Sequence, residues 1–91
     1  MLEIVLSNRF KKDLKLAAKR GYNLERLNDV VNLLASQKKL PEKYKDHELI
    51  GNYVGFRECH IQPDWLLVYR IQSDALILFL SRTGTHSDLF D

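Results

Sequence analysis

The chain has 91 residues, of which 45% are hydrophobic and 29% charged, and its formal net charge is +2. This composition disfavours disorder, and no apolar run approaches the roughly 20 residues that a membrane-spanning helix needs. We therefore expect a single domain over residues 1–91 with one modest core. Leu2–Leu6 is too short and too acidic for a signal peptide, and a single cysteine suits a reducing compartment, so a cytoplasmic location is predicted.

The small net charge hides a strong asymmetry between the two halves. Residues 1–45 contain 11 Lys and Arg against 5 Asp and Glu, a net +6, whereas residues 46–91 contain 3 against 7, a net −4. A basic half of this size is expected of a protein that binds a polyanion, because each neutralised phosphate releases counterions. The alternative is a lysine-rich helix face that simply faces solvent.

A strand at Leu2–Leu6 and two helices are predicted in the basic half. Ser7 is a good N-cap for a first helix that continues to about Arg20, and Gly21 ends it. Its apolar stripe consists of Phe10, Leu14, Ala17 and Ala18. A different face carries lysines spaced by four residues, namely Lys11, Lys15 and Lys19. Asn23 caps a second helix with apolar residues at Leu24, Leu27, Val30, Val31 and Leu34, so the two should form an antiparallel hairpin.

The second half predicts strands after a long loop. No clear period survives from Leu40 to Gly55, and loops of this length are often functional. Three strands are then predicted, at Phe56–Ile61, Trp65–Ile71 and Ala75–Arg82, and they should form an antiparallel meander. After them the chain has room for one helical turn, which Leu89 and Phe90 would dock. The predicted fold is α+β: an N-terminal strand and a helix hairpin packed on an antiparallel sheet of about four strands.

Every histidine lies in a polar, punctuated setting, at positions 47, 60 and 86. His47 alone could be an incidental surface residue, and His60, on the strand face opposite Cys59, could be a hydrogen-bonded structural residue. His86 follows a glycine-containing turn, where polar residues are common. Together they are better explained by acid–base chemistry, because imidazole accepts and donates protons near neutral pH.

A metal site made of the three histidines is the competing chemical interpretation. Their spacing matches no dedicated metal motif, and Cys59 and His60 should point to opposite faces of one strand. Cys59 itself is a poor nucleophile on an apolar face, and no glycine-rich loop precedes a helix. Neither a metal nor another cofactor is therefore predicted.

Three motifs together resemble a known family. They are Tyr44–His47, Phe56–Tyr69 and Arg82–His86, and they occur in the order and spacing of the YafQ branch of the RelE/ParE toxin superfamily. The resemblance covers nearly the whole chain and implies a RelE-like microbial RNase fold. It also implies a bacterial type II toxin, a ribosome-dependent endoribonuclease that cuts mRNA in the decoding site of the 70S ribosome.

The resemblance implies further partners and products. The toxin would be silenced by a cognate antitoxin, expected to be a ribbon-helix-helix protein with an acidic C-terminal segment, and would meet operator DNA only through it. Cleavage would be metal-free, by attack of an RNA 2′-hydroxyl on the adjacent phosphate, and would leave a 2′,3′-cyclic phosphate.

The family's site residues carry over to matching positions. Its catalytic positions match His47, His60, Asp64 and His86, with Arg82 as a cation for the phosphate or transition state. Phe90 would lie beside the substrate base. The helix lysines Lys11, Lys15 and Lys19 are predicted from their spacing, and not from the family, to bind substrate phosphates. Trp65 is a candidate for substrate binding, although its alternation with Leu67 and Tyr69 also fits a core residue. Ile50 departs from the polar residue expected in the family's loop.

Two other functions remain open at this point. A gyrase poison on the same RelE/ParE fold would need no acid–base residues, and a plain RNA-binding module would use only the lysine face. Neither gives Asp64 and His86 a role.

Overall fold

A five-stranded sheet carries the helix hairpin on one face and the histidines on the other. The computed structural model describes residues 1–90. Its elements are β1 (Glu3–Leu6), α1 (Asn8–Lys19), α2 (Leu24–Ala35), β2 (His47–Glu48), β3 (Arg57–Gln62), β4 (Trp65–Gln72), β5 (Ile77–Gly84) and α3 (His86–Phe90), with 3₁₀ turns at Glu42–Tyr44 and Gly51–Tyr53. In the described residues 1–90, no helix is long and apolar enough to cross a bilayer.

The strand order is β1-β5-β4-β3-β2. β3, β4 and β5 form the predicted antiparallel meander, and β1 pairs with β5 in parallel at the edge. The prediction of about four antiparallel strands was therefore one short, because β2 has only two residues and forms by pairing with β3. The α+β class and the order of elements are confirmed.

The helix hairpin forms where its caps predict. The Ser7 hydroxyl accepts a hydrogen bond from the Phe10 N–H at 2.9 Å, and the Asn23 side chain accepts one from the Glu25 N–H at 3.1 Å. Phe10 and Ala17 are buried as predicted, but Ala18 is exposed. Asp13 turns inward from the other edge of the apolar stripe because it binds groups on β5, as described below.

The main core lies between the hairpin and the sheet. It combines Phe10 of α1 and the apolar face of α2 with inward-facing side chains of β3, β4 and β5, including Cys59 and Trp65. A second, smaller cluster of Leu66, Val68 and Leu89 occupies the opposite face of the sheet. This cluster supports α3 and the loop before β3, so it forms the floor beneath the histidines.

One predicted strand boundary and one predicted contact differ from the structure. β5 begins at Ile77 instead of Ala75, because residues 73–76 form a turn in which Leu76 adopts a left-handed conformation with φ 55°. Leu89 docks α3 with 7% of its surface exposed, but Phe90 is 42% exposed and was wrongly predicted to help. Its ring instead stands edge-on to Tyr53, with centroids 5.6 Å apart.

Candidate active site

The three histidines, far apart in sequence, come together on one face of the sheet. His47 lies on β2, His60 on β3, and His86 is the first residue of α3. The ring centroids of His47 and His60 are 6.4 Å apart, and those of His60 and His86 are 5.8 Å apart. The Phe90 ring continues the row, 6.4 Å from His86. Four rings thus form a row on one face of the sheet, above the smaller core.

Glu58 lies between two of these histidines and was not singled out from the sequence. Its Oε1 atom is 3.6 Å from Nε2 of His47 and 3.7 Å from Nε2 of His60, and the residue is only 4% exposed. Its only sequence signal is alternation with His60, which places both side chains on one strand face. The carboxylate therefore links two imidazoles across two strands.

Backbone carbonyls set the tautomers of the same two histidines. Nδ1 of His47 lies 2.8 Å from the Lys45 carbonyl, and Nδ1 of His60 lies 3.2 Å from the Pro63 carbonyl. A carbonyl oxygen can only accept, so each Nδ1 carries a proton and donates it. In both rings Nε2 is left for chemistry, and it faces the negative charge of Glu58.

Asp64 orients the third histidine. Its Oδ1 atom accepts hydrogen bonds from the backbone N–H and from Nδ1 of His86, both at 3.1 Å. The backbone N–H and the ring of His86 lower the pKa of Asp64 from its usual 3.8, so the carboxylate is ionised at neutral pH. An ionised carboxylate only accepts, hence Nδ1 of His86 carries the proton and Nε2 is free to accept another. The side chain of His86 is 57% exposed, so this nitrogen is accessible.

Arg82 lies on the same face of the sheet as the histidines. In the strand register it opposes Val68, which opposes Glu58, which opposes His47. Its Nε and Nη2 atoms donate to the two carboxylate oxygens of Asp13, at 2.8 and 3.2 Å, and these bonds raise the pKa of Arg82. Its side chain is 14% exposed, so the predicted phosphate cation is largely enclosed.

The loop that carries His47 is anchored by a polar network. Asp46 accepts hydrogen bonds from the Tyr69 hydroxyl at 2.5 Å and from Arg57 at 3.2 Å. Lys45 adopts a left-handed conformation with φ 50°, which brings its carbonyl back toward His47. The loop predicted from the sequence is thus partly ordered as β2, and His47 is held by pairing with Glu58.

Trp65 lies in the main core and not in the row of rings. The residue is 1% exposed and belongs to the main core, where its ring packs 4.9 Å from Tyr22. Its Nε1–H donates to the Thr83 hydroxyl at 2.9 Å. The core interpretation that its alternation with Leu67 and Tyr69 also allowed is the one that the structure shows.

The predicted lysine row is exposed. Lys11, Lys15 and Lys19 all lie on the exposed side of α1, whose buried face contributes Phe10 to the main core. At the end of this helix Arg20 forms a 2.6 Å ion pair with Asp88 of α3. The row therefore ends at the residue that ties α1 to the helix bearing His86 and Phe90.

This arrangement agrees with comparisons to known proteins. Residues 2–91 match the family model described as the bacterial toxin of type II toxin-antitoxin system, YafQ. The chain belongs to the YafQ toxin family. It is 43% identical over 89 residues to the mRNA interferase toxin YafQ of Escherichia coli K12, covering 97% of this chain and 95% of that protein.

Solved structures of YafQ toxins and related proteins share this fold. A metal-bound toxin from Helicobacter pylori is 51% identical and superposes with a TM-score of 0.94, covering 99% of this chain and all of that one. The matching chain in the crystal structure of the E. coli DinJ–YafQ toxin–antitoxin complex is 40% identical and superposes with a TM-score of 0.89. The match covers 99% of this chain and 98% of that chain.

The metal-bound relative raises the question of whether the residues present here could hold an ion. Among residues 1–90, no group of three or more His, Cys, Asp or Glu side chains is arranged to do so. Cys59 is buried on the opposite face of β3, and burial raises the pKa of its thiol to about 12. No step proposed for this protein involves a metal ion.

Proposed function

We propose that this YafQ-family protein is a ribosome-dependent endoribonuclease that cleaves mRNA in the decoding site. The observation that carries the proposal is the hydrogen bond between Asp64 and Nδ1 of His86. It leaves Nε2 of His86 free, and the His60 ring is the next one in the row. Metal-free RNA cleavage needs one group to take the 2′-proton and another to protonate the leaving 5′-oxygen. Two imidazoles with centroids 5.8 Å apart supply both groups.

We assign the base to His86 and the acid to His60. His86 donates Nδ1–H to Asp64, so its Nε2 lone pair can accept the 2′-proton. His60 donates Nδ1–H to a carbonyl, and its Nε2 lies 3.7 Å from Oε1 of Glu58, so the ring is held between two acceptors while it delivers a proton to the leaving oxygen. His47, held by the same carboxylate, can share or replace this role. The bond formed is 2′-O–P and the bond broken is P–O5′, which leaves a 2′,3′-cyclic phosphate and a 5′-hydroxyl.

The remaining candidate residues would bind RNA or stabilise the transition state. Arg82 would balance the charge that develops on the phosphorane oxygens, an electrostatic contribution that is often the largest. Phe90 is 42% exposed beside His86 and could stack on a base. Such a stack contributes about 1 to 3 kcal/mol to the binding of single-stranded RNA. The lysine row of α1 would bind the phosphates of ribosomal RNA. The positive charge used for docking would then lie on α1 and not among the catalytic residues.

Cleavage of mRNA on purified 70S ribosomes tests this proposal. We expect wild-type protein to cut ribosome-bound mRNA and to leave free mRNA intact. The downstream fragment should carry a 5′-hydroxyl that a polynucleotide kinase labels directly, and the upstream fragment should resist ligation at its 3′ end until the cyclic phosphate is removed. A chelator selective for transition metals, such as phenanthroline, should not reduce the rate, because it leaves ribosomal magnesium in place. Activity that depends on added zinc would contradict metal-free catalysis.

The natural partner is inferred from the charge asymmetry and from the E. coli toxin–antitoxin relative. We infer a cytoplasmic protein whose cognate antitoxin carries an acidic, disordered segment that orders on the basic helix hairpin. A ribbon-helix-helix domain in the antitoxin would bring the complex to operator DNA. Expression of the chain alone should arrest growth, and co-expression of the adjacent small gene should restore it. A harmless chain would instead favour a plain RNA-binding module.

A further inference from the structure

Asp13 interrupts the apolar face of α1. Its side chain is only 12% exposed, and its neighbours on this face, Phe10 and Ala17, are 1% and 4% exposed. Burial of a carboxylate is unfavourable unless the charge is paired and its oxygens accept hydrogen bonds. The position of Asp13 therefore has to be explained by what it binds.

Asp13 binds the end of β5 at the point where β1 stops covering it. β1 pairs with β5 only as far as Leu80, and Ser81 is an extra residue that bulges from the ladder with β4. Beyond the bulge, Oδ2 of Asp13 accepts the backbone N–H of Thr83 at 3.1 Å and Nε of Arg82 at 2.8 Å, while Oδ1 accepts Nη2 of Arg82 at 3.2 Å. The carboxylate thus takes the place of a missing strand.

The hydrogen bonds to Asp13 determine which nitrogen of the Arg82 guanidinium has no protein partner among residues 1–90. Nε and Nη2 are bound side-on by Asp13, and residues 1–90 offer Nη1 no hydrogen-bond acceptor. Because no side-chain nitrogen or oxygen in this described part is both buried and unpaired, Nη1 must be open to solvent. Arg82 shares its sheet face with Glu58 and His47, so the free edge belongs to the candidate active site.

We propose that Asp13 is a positioning residue that holds Arg82 so that Nη1 meets the scissile phosphate. The inference rests on the proposed nuclease function. A guanidinium bound at two nitrogens has a fixed orientation, so its third nitrogen points in one direction. A donor fixed in this way stabilises a charge that develops in the transition state. Without Asp13 the positive charge remains, so substrate binding should persist while the chemical step slows.

The test compares Asp13→Asn with Asp74→Asn, a matched change at an exposed turn. Single-turnover cleavage of ribosome-bound mRNA gives a maximal rate and a half-saturating toxin concentration. We expect Asp13→Asn to lower the maximal rate by about 10- to 100-fold and to leave the half-saturating concentration within about threefold. In an Arg82→Ala background the same change should reduce the rate by less than about twofold, because the group that Asp13 positions is gone.

Several results would overturn the inference. A maximal rate for Asp13→Asn equal to that of Asp74→Asn, with an active wild type, would refute positioning and spare the nuclease proposal. Equal losses in the presence and absence of Arg82 would show a role unrelated to that side chain. An inactive wild type would refute both. Rates are compared only for variants whose denaturation curves show a folded protein. If Asp13→Asn does not fold, Asp13→Glu replaces it under the same criteria. That variant keeps the charge but displaces the carboxylate.

Discussion

A single oxygen of Asp64 accepts both the backbone N–H and the Nδ1–H of His86, each at 3.1 Å. The two bonds fix the start of α3 and the direction of the imidazole together. Asp64 is itself 67% exposed, so its contribution is orientation and not burial of charge. The relationship makes the turn between β3 and β4 part of the candidate site.

Asp64→Asn should slow cleavage without unfolding the protein. An amide can still accept from the backbone, but it can turn its NH₂ group toward Nδ1 and so favour the wrong tautomer, and we expect a loss of about 10- to 100-fold. Because the pKa of Asp64 is already lowered from 3.8, the wild-type carboxylate stays ionised above about pH 5. The cleavage rates of both proteins are measured on ribosome-bound mRNA from about pH 5 to 8, where the charge of the wild-type Asp64 does not change. An Asp64→Asn rate equal to the wild-type rate would contradict the assignment.

His86→Ala should abolish most cleavage and the growth arrest that depends on it. Removal of a general acid or base lowers the rate by about 10²- to 10⁴-fold. The backbone N–H that binds Asp64 is retained, so the helix start should be preserved. Ser87→Ala, at the exposed neighbouring position, is the control and should keep full activity. Full toxicity of the His86 variant would remove this residue from the mechanism.

Glu58→Gln tests the link between His47 and His60. The substitution keeps the shape of a side chain that is 6% exposed but removes the negative charge near both Nε2 atoms. We expect the cleavage rate to fall by about 10- to 100-fold, because the charged acceptor that links the two imidazoles is lost. Glu48→Gln, at an 83% exposed position on β2, should have little effect. Equal rates for the two variants would show that Glu58 is only structural.

The helix hairpin and meander could be predicted from the sequence because their signals are local. Ser7 and Gly21 bound α1, and apolar periodicity identifies α2 and the three main strands. β2 could not be predicted, since two residues form a strand only through pairing with a segment ten residues away. Ala18 was misplaced for a related reason: the inward turn of Asp13 depends on Arg82, which is distant in sequence.

The candidate site was predictable in its members but not in its connections. Histidines in polar settings and the family motifs identified all four rings of the row, namely His47, His60, His86 and Phe90. Glu58 was missed because alternation with His60 is also what a solvent-facing strand residue shows. For Trp65 the alternation allowed two environments, and its buried partner, the Thr83 hydroxyl, lies 18 residues away along the chain. Such long-range contacts carry no signal in a single sequence.

Lys15→Ala should weaken ribosome binding and leave the chemical step unchanged. Lys15 is exposed in the middle of the lysine row. Loss of one phosphate contact should reduce the slope of log affinity against log salt by about 1, so the defect should be largest at low salt and shrink as salt rises. Binding to 70S ribosomes at several salt concentrations measures this, with Lys38→Ala as the control outside the row. A defect independent of salt would point to altered folding.

Asp88→Asn should destabilise the protein at neutral pH and lose this effect in acid. Asp88 accepts from Arg20 at 2.6 Å and from the Thr85 N–H at 2.9 Å, and chiefly the Arg20 guanidinium holds the pKa of Asp88 well below 3.8. A carboxyl with a lowered folded pKa contributes stability above its unfolded pKa and loses it as pH falls through the folded value. We therefore expect the variant to melt about 4 to 8 °C below wild type at pH 7.

The pH dependence separates charge from packing at this contact. Asp88 also lies so close to Gly84 that a Cβ atom built there would be 2.9 Å from its Oδ2, so the side chain fits tightly whatever its charge. If the ion pair with Arg20 is what joins α3 to α1, the gap in Tm between wild type and Asp88→Asn should narrow steadily below about pH 4. Asp74→Asn, which removes an exposed carboxylate from a turn, should show no comparable gap at pH 7. A gap of equal size at neutral and acid pH would mean that steric fit, and not the charge of Asp88, holds the helix that carries His86.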